Sequence, residues 1–233
     1  MAETKTGATA PEPQIRDAAT VILLREDGAE PRLLMGQRGR AAAFMPSKFV
    51  FPGGGVEVGD AAVPTPHPLH PAVRRGLETS APPGLAHALA MAAIRELWEE
   101  TGLALAQAAE APAPDVPAGS WQRFFAAGHR PAADRLRLVF RAITPPGRPR
   151  RFDARFFLVG ADGLRGDLDD FSGASGELSH LAWVSLAHAQ TLDLPFITEV
   201  VLSEVAARLA EPTVPRPAPF FHHEAGRSFL SGL

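Results

Sequence analysis

Arg95, Glu96, Glu99 and Glu100 stand in one nine-residue run, Arg-Glu-Leu-Trp-Glu-Glu-Thr-Gly-Leu, from Arg95 to Leu103. On a helix, Glu96 and Glu100 are four apart and Glu99 is three from Glu96, so all three carboxylates reach one face. Gly102 sits where helices commonly stop in a left-handed cap, which puts the acids in the last turns. Backbone carbonyls at that end already carry partial negative charge and disfavour acids. Three carboxylates gathered there need a positive partner, and oxygen donors of this kind suit hard ions such as magnesium or manganese. Arg95, four residues before Glu99, can orient that carboxylate. A Glu-Glu pair on a helix is ordinarily a solvated acidic face; the third acid, the unfavourable dipole end and the flanking Arg and Gly argue against that reading here.

The elements that must position these groups are visible in the local pattern. Leu85 to Thr101 is rich in Ala, Leu, Met and Glu, with Leu89, Ala93 and Leu97 four apart, and is predicted to be helical. Upstream, Phe51-Pro52-Gly53-Gly54-Gly55 forms a glycine-rich loop. Residues 61 to 85 between them hold six prolines and two glycines, which excludes one continuous helix or central strand. That stretch reads as a loop thrown out between the glycine-rich loop and the helix. Ala18 to Arg25 and Arg32 to Gln37 read as strands joined by a turn at Asp27-Gly28, followed by a short strand at Lys48 to Phe51. Further strands are expected at Leu136 to Ile143, Arg155 to Val159 and Leu181 to Val184. Trp121 to Ala127 reads as a short helix and Ile197 to Leu209 as an amphipathic one. Strands interleaved with two substantial helices imply an α/β class with a mixed sheet between helices.

The two motifs together resemble the Nudix box, Gly-x5-Glu-x7-Arg-Glu-U-x-Glu-Glu-x-Gly-U, where U is a bulky aliphatic. Every fixed position from Arg95 to Leu103 agrees. Counting from Gly54, Asp60 stands at the first Glu; counting back from Arg95, His87 does. Residues 61 to 94, 34 in all, intervene where the family has seven, an insertion of 27. The split box resembles the interrupted-box branch related to the peroxisomal-type acyl-CoA diphosphatase, as does Arg151-Phe152-Asp153-Ala154-Arg155-Phe156-Phe157. The coenzyme A branch carries Leu-Leu-Thr-x-Arg thirteen residues before its Phe-Pro-Gly-Gly; Leu34 to Arg38 holds that place, thirteen before Phe51. Ala43 stands where that signature has a second Arg, and Ser47 where it has Gly.

The resemblance implies an α/β/α sandwich and hydrolysis of a nucleoside diphosphate derivative with Mg2+ or Mn2+. It makes Glu96, Glu99, Glu100 and Arg95 the catalytic group. Glu96, Glu99, Glu100 and the Gly53 carbonyl, with Asp60 assisting, become metal ligands. Arg38, Gly54, Gly55, Arg151 and Arg155 become substrate-binding residues, since arginines grip phosphate in bidentate fashion. Asp153 is expected to make a structural pair with one of these arginines. Glu177, before a Trp-containing strand, is either structural or a distal acid. Coenzyme A or acyl-CoA is the expected substrate; ADP-ribose or a nucleotide sugar is the enzymatic alternative, and a nucleotide-sensing module without cleavage the non-enzymatic one.

The whole chain bounds these readings. Its 233 residues suit one domain, 17-211, between a loose tail at 1-16 and a proline-rich tail at 212-233, because the two half-boxes must meet in space. A net charge of −3 offers nucleic acid no general attraction. The longest uncharged run, 16 residues from Thr79 to Ile94, contains Pro-Pro-Gly, so no membrane helix is expected. The absence of cysteine excludes disulfide and thiol chemistry and fits a cytoplasmic protein. The expected partner is a small-molecule nucleotide substrate, and the sequence leaves room for a homodimer.

Overall fold

The structure is a computed structural model and describes residues 13–42, 44–79, 81–109, 115–116 and 118–233. The first twelve residues of the expected tail, Ala43, Ser80, residues 110–114 and Pro117 lie outside the described residues.

Among the described residues the main sheet has nine strands. They are β1 (Ile15–Arg25), β2 (Arg32–Arg38), β3 (Phe49–Val50), β4 (Gly53–Gly55), β7 (Arg137–Ile143), β8 (Arg151–Gly160), β10 (Leu178–Ser185), β11 (Pro219–Glu224) and β12 (Arg227–Gly232). The spatial order is β10-β2-β1-β8-β7-β11-β12, with β3 on β2 and β4 on β1. β1 runs parallel to β8 and β11 to β7; the other pairs are antiparallel, so the sheet is mixed. A small sheet joins β5 (Ala104–Ala108) to β6 (His129–Pro131) and β9 (Leu164–Arg165). The helices are α1 (Pro71–Glu78), α2 (Leu85–Thr101), α3 (Ser120–Ala126), α4 (Leu186–Ala189) and α5 (Phe196–Ala210).

Both faces of the central strands are covered, which is why β1 and β8 are apolar on both sides. Val21 and Leu23 of β1, with Phe157 and Val159 of β8, pack against Leu89, Met91, Ile94 and Leu97 of α2. The alternate residues Ile22, Leu24, Phe156 and Leu158 pack with Val201, Leu202 and Val205 of α5. This is the expected α/β/α sandwich with a mixed sheet. The site helix α2 is tightly seated: Leu89, Met91, Ile94 and Leu97 are fully buried. It ends at Gly102, which has φ 78° and donates its N–H to the Trp98 carbonyl, as its position before Leu103 predicts.

Three readings of organisation need correction. The insertion at 61–85 is not a loop thrown outward. It contains α1, with Pro71 in the first turn where a missing N–H costs nothing. Val63, Leu69 and Leu77 are buried in the core beneath α2, and Thr65 bonds the Pro131 carbonyl at 2.6 Å. Prolines 64 to 71 dominate the composition of the stretch and mask the proline-free turns that follow. The 212–233 segment is not a tail either: β11 and β12 form a hairpin that extends the sheet from β7. Finally, β1 starts at Ile15, inside the segment assigned to the N-terminal tail, because its partner β8 begins at Arg151 and pairs with it from there.

Candidate active site

β1 and α2 bring the two half-boxes together. β4 pairs with β1 through Ala18↔Gly55, Ala19↔Gly54 and Thr20↔Gly53, which lays the glycines beside the last turns of α2. A Cβ on Gly54 would lie 2.4 Å from Glu96 Oε1, so only glycine lets that carboxylate in. Gly53 has φ 155°, and a Cβ there would meet the Ala19 carbonyl at 2.5 Å. Its amide donates to Glu100 Oε2 at 2.7 Å. Within the chain, Gly54 makes room for the Glu96 carboxylate, and Gly53 lets β4 lie close against the β1 backbone.

Arg95 organises the rest. It is buried, and its Nη1 donates to Glu96 Oε1 at 2.9 Å and to Glu99 Oε2 at 3.0 Å. Nη2 donates to the Gly55 carbonyl at 2.8 Å. Nε and Nη2 grip Asp60 in a fork, at 3.0 and 3.1 Å. Burial alone would lower the guanidinium pKa; the Asp60 hydrogen bonds and the Glu96, Asp60 and Glu99 charges more than reverse this, so Arg95 stays charged.

Asp60 is therefore not placed as a metal ligand. It is fully buried, and its oxygens also accept from Trp121 Nε1 at 3.0 Å and the Glu57 amide at 2.8 Å. Four donors fill its lone pairs, so its role is to hold Arg95. His87, the alternative at that box position, bonds the Val63 carbonyl at 2.8 Å and lines a cleft with Pro68 and Arg74, away from the glutamates.

Charge accumulates at this corner. Burial pushes the Glu96 carboxyl up to about 7 against the pull of Arg95. Burial pushes Glu100 up to about 8, opposed by the Gly53 amide. Glu99 is half-buried at the rim, with 27% of its side chain exposed. Among the described residues no three acidic or histidine side chains close on a single point; Glu96 and Glu99 share Arg95 Nη1, and Glu100 is held by the Gly53 amide. The donor set still fits a hard divalent cation: oxygen atoms only, more acids than the single arginine balances, and two carboxyls that burial holds back from ionising.

The arginines divide. Arg38, at the end of β2, donates from Nη2 to Glu177 at 3.0 Å, and its charge acts on Glu100. Arg155 does not stand free for substrate. It is buried, donates to Asp17 and to the Asp153 carbonyl, and faces the Asp153 carboxylate at 3.3 Å. Asp153 also takes a two-point bond from Arg141, at 2.9 and 2.7 Å. Arg141 itself lies over the Phe220 ring. Arg151 opens β8 beside Ile15 and donates to the Thr144 carbonyl at 3.1 Å. The adjacent His222-His223 pair lies on β11, with His222 stacked between Phe220 and Phe229.

No family model matches the chain. A Caenorhabditis elegans protein that carries the name nudix hydrolase 7 is 29% identical over 178 residues, covering 72% of this chain and 51% of its own length. The chain thus spans about half the length of that curated relative. The crystal structure of a Nudix hydrolase from Alicyclobacillus acidocaldarius superposes with a TM-score of 0.62 at 29% identity, over 87% of this chain and 97% of that one. The fold is Nudix-like, and the relatives that carry it are Nudix hydrolases. Among the described residues no helix is long and apolar enough to cross a membrane.

Proposed function

We propose that this chain is a divalent-metal-dependent hydrolase of diphosphate linkages, acting on coenzyme A or an acyl-CoA. The observation that carries the reading is the charge imbalance at the α2 C-terminus, where Arg95 pairs with Asp60, Glu96 and Glu99 and the fourth acid, Glu100, accepts from the amide of the glycine strand. Glu99 and Glu100 would hold Mg2+ or Mn2+ with the Gly53 carbonyl, and Glu96 would be a further ligand or the base that takes a proton from water. The bound ions would neutralise phosphate oxygens and acidify a water, the two obstacles to attack on an anionic diphosphate. Arg95, fixed by Asp60, keeps Glu96 and Glu99 at set positions on the helix face. Arg38 and Arg151 are the candidates for gripping phosphate. Water adds across the diphosphate bridge, giving adenosine 3′,5′-bisphosphate and a phosphopantetheine product.

The coenzyme A assignment is supported by the split box, the Arg38-to-Phe51 spacing and the Arg151 to Phe157 run. Ser47, which stands where the coenzyme A signature has glycine, has φ 61°, the backbone region that favours glycine. Incubation with CoA, acetyl-CoA, ADP-ribose and UDP-glucose, with products identified by mass, tests the reading. Release of adenosine 3′,5′-bisphosphate from CoA supports it. Cleavage of ADP-ribose with CoA left intact overturns the substrate class, and cleavage of none overturns the enzyme.

A further inference from the structure

Glu177 is the acid next to the site that the box does not include. The loop that carries it is fastened to the end of α2 at two points. The Ser175 amide donates to the Glu99 carbonyl at 2.7 Å, and the Gly102 and Gly173 backbones touch, a Cβ on Gly102 lying 3.2 Å from Gly173 Cα. Beyond Glu177, β10 carries an irregularity between Ser179 and Ala182, with His180 at φ 53°, a local distortion of the kind that re-aims side chains. The carboxylate so placed meets Arg38 Nη2 at 3.0 Å. Its charge acts on both Glu96 and Glu100.

Arg38 is itself incompletely used. Its side chain is 19% exposed, yet its Nε is enclosed and has no partner among the described residues. A guanidinium offers a fork of parallel donors that matches two oxygens of a phosphate as well as those of a carboxylate. Glu177 is 56% exposed on its side chain, so leaving Arg38 exposes no buried charge. The strong end of this pair is the arginine, and the replaceable end is the glutamate.

The geometry points to Glu177 as an internal stand-in for substrate phosphate: it occupies Arg38 in the free protein and yields it to a phosphoryl oxygen of the diphosphate. The inference rests on the proposed diphosphate chemistry and adds a residue that sets affinity for it. Glu177 competes with the ligand for one cation, so removing its charge should tighten binding, the opposite of what loss of a structural contact would do. A phosphoryl group must displace an ion pair of modest strength, so the gain should be about threefold to tenfold.

The test is calorimetric binding of imidodiphosphate, a non-hydrolysable diphosphate, in Mg2+ to the full chain and to Glu177→Gln, Arg38→Lys, Arg38→Ala and Arg38→Ala/Glu177→Gln. Glu177→Gln should bind about threefold to tenfold tighter, and Arg38→Ala at least tenfold weaker. Arg38→Lys, which keeps charge but loses the fork, should fall between. In the Arg38→Ala background the glutamine should change nothing. Unchanged or weaker binding by Glu177→Gln overturns the inference, as does equal tightening with Arg38 absent, or no binding by wild type and Glu177→Gln. Failure of the chain to cleave any diphosphate ester would overturn the enzyme reading alone, because these measurements need no turnover.

Discussion

Two arginine–carboxylate clusters lie on this fold, and only one has charge to spare. In the ladder across β1, β8 and β7, Arg141 and Arg155 share Asp153 and Asp17, and the charges cancel. At the α2 terminus Arg95 pairs with Asp60, Glu96 and Glu99, and Glu100, beside them, takes the Gly53 amide and only the distant charge of Arg38, which Glu177 already pairs. Both clusters are rich in Arg and Asp/Glu, and each draws residues from a run that carries a family resemblance, Arg95 to Leu103 or Arg151 to Phe157. The balanced one can brace the sheet; the unbalanced one holds more carboxyls than its arginine can pair, a donor set that an added cation would fit. Residue type alone does not distinguish the two clusters, whereas the surplus of acids over arginine does, and it marks the cluster proposed for chemistry.

Substitutions can break the contrast. Glu99→Gln or Glu100→Gln should cut kcat by about 10²- to 10⁴-fold with little change in thermal midpoint, read by steady-state kinetics beside calorimetry. Asp153→Ala should do the reverse. It strands Arg141, while Arg155 keeps Asp17, and should cost about 3–5 kcal/mol in urea unfolding, while activity per folded molecule stays near wild type. If Asp153→Ala abolishes turnover in protein that remains folded, the ladder is part of the site after all.

Asp60 sharpens the boundary, because it belongs to the surplus cluster yet touches no open face. Asp60→Asn should lower activity by about 10- to 100-fold through misplacement of Arg95, and should also lower stability. A smaller effect comes from pH. Glu96 and Glu100, pushed up to about 7 and about 8, hold protons more tightly folded than unfolded. The metal-free protein should therefore keep its full stability below the ordinary carboxylate range and lose part of it as pH rises through 7 to 8. Thermal melts at pH 5 and pH 8.5 in chelator check the sign; higher stability at pH 8.5 would refute the burial argument.

Much of this is legible in the residues. Periodicity and the Gly102 cap place α2 at Leu85–Thr101, because a helix with strong local preference also has its apolar stripe buried. The glutamate face follows from three- and four-residue spacing alone. Asp60 is not legible as an arginine clamp, since its partners Arg95 and Trp121 lie 35 and 61 residues away. Arg155 resembles a phosphate grip for the same reason: its partner Asp17 is 138 residues distant. The β11–β12 hairpin is hidden by Pro212, Pro215, Pro217 and Pro219, which read as a tail although the last of them only opens a strand. Long-range pairing of charges and strands is the part of the fold that local pattern does not encode.

The most direct test of the central claim is Mn2+ binding followed by electron paramagnetic resonance, in wild type, Glu96→Gln, Glu99→Gln, Glu100→Gln and Asp153→Ala. The account predicts that wild type and Asp153→Ala bind Mn2+ alike and that Glu99→Gln and Glu100→Gln bind at least tenfold more weakly, with Glu96→Gln weakened only if Glu96 is a ligand and not the base. Wild-type Mn2+ affinity in Glu99→Gln and Glu100→Gln would contradict it.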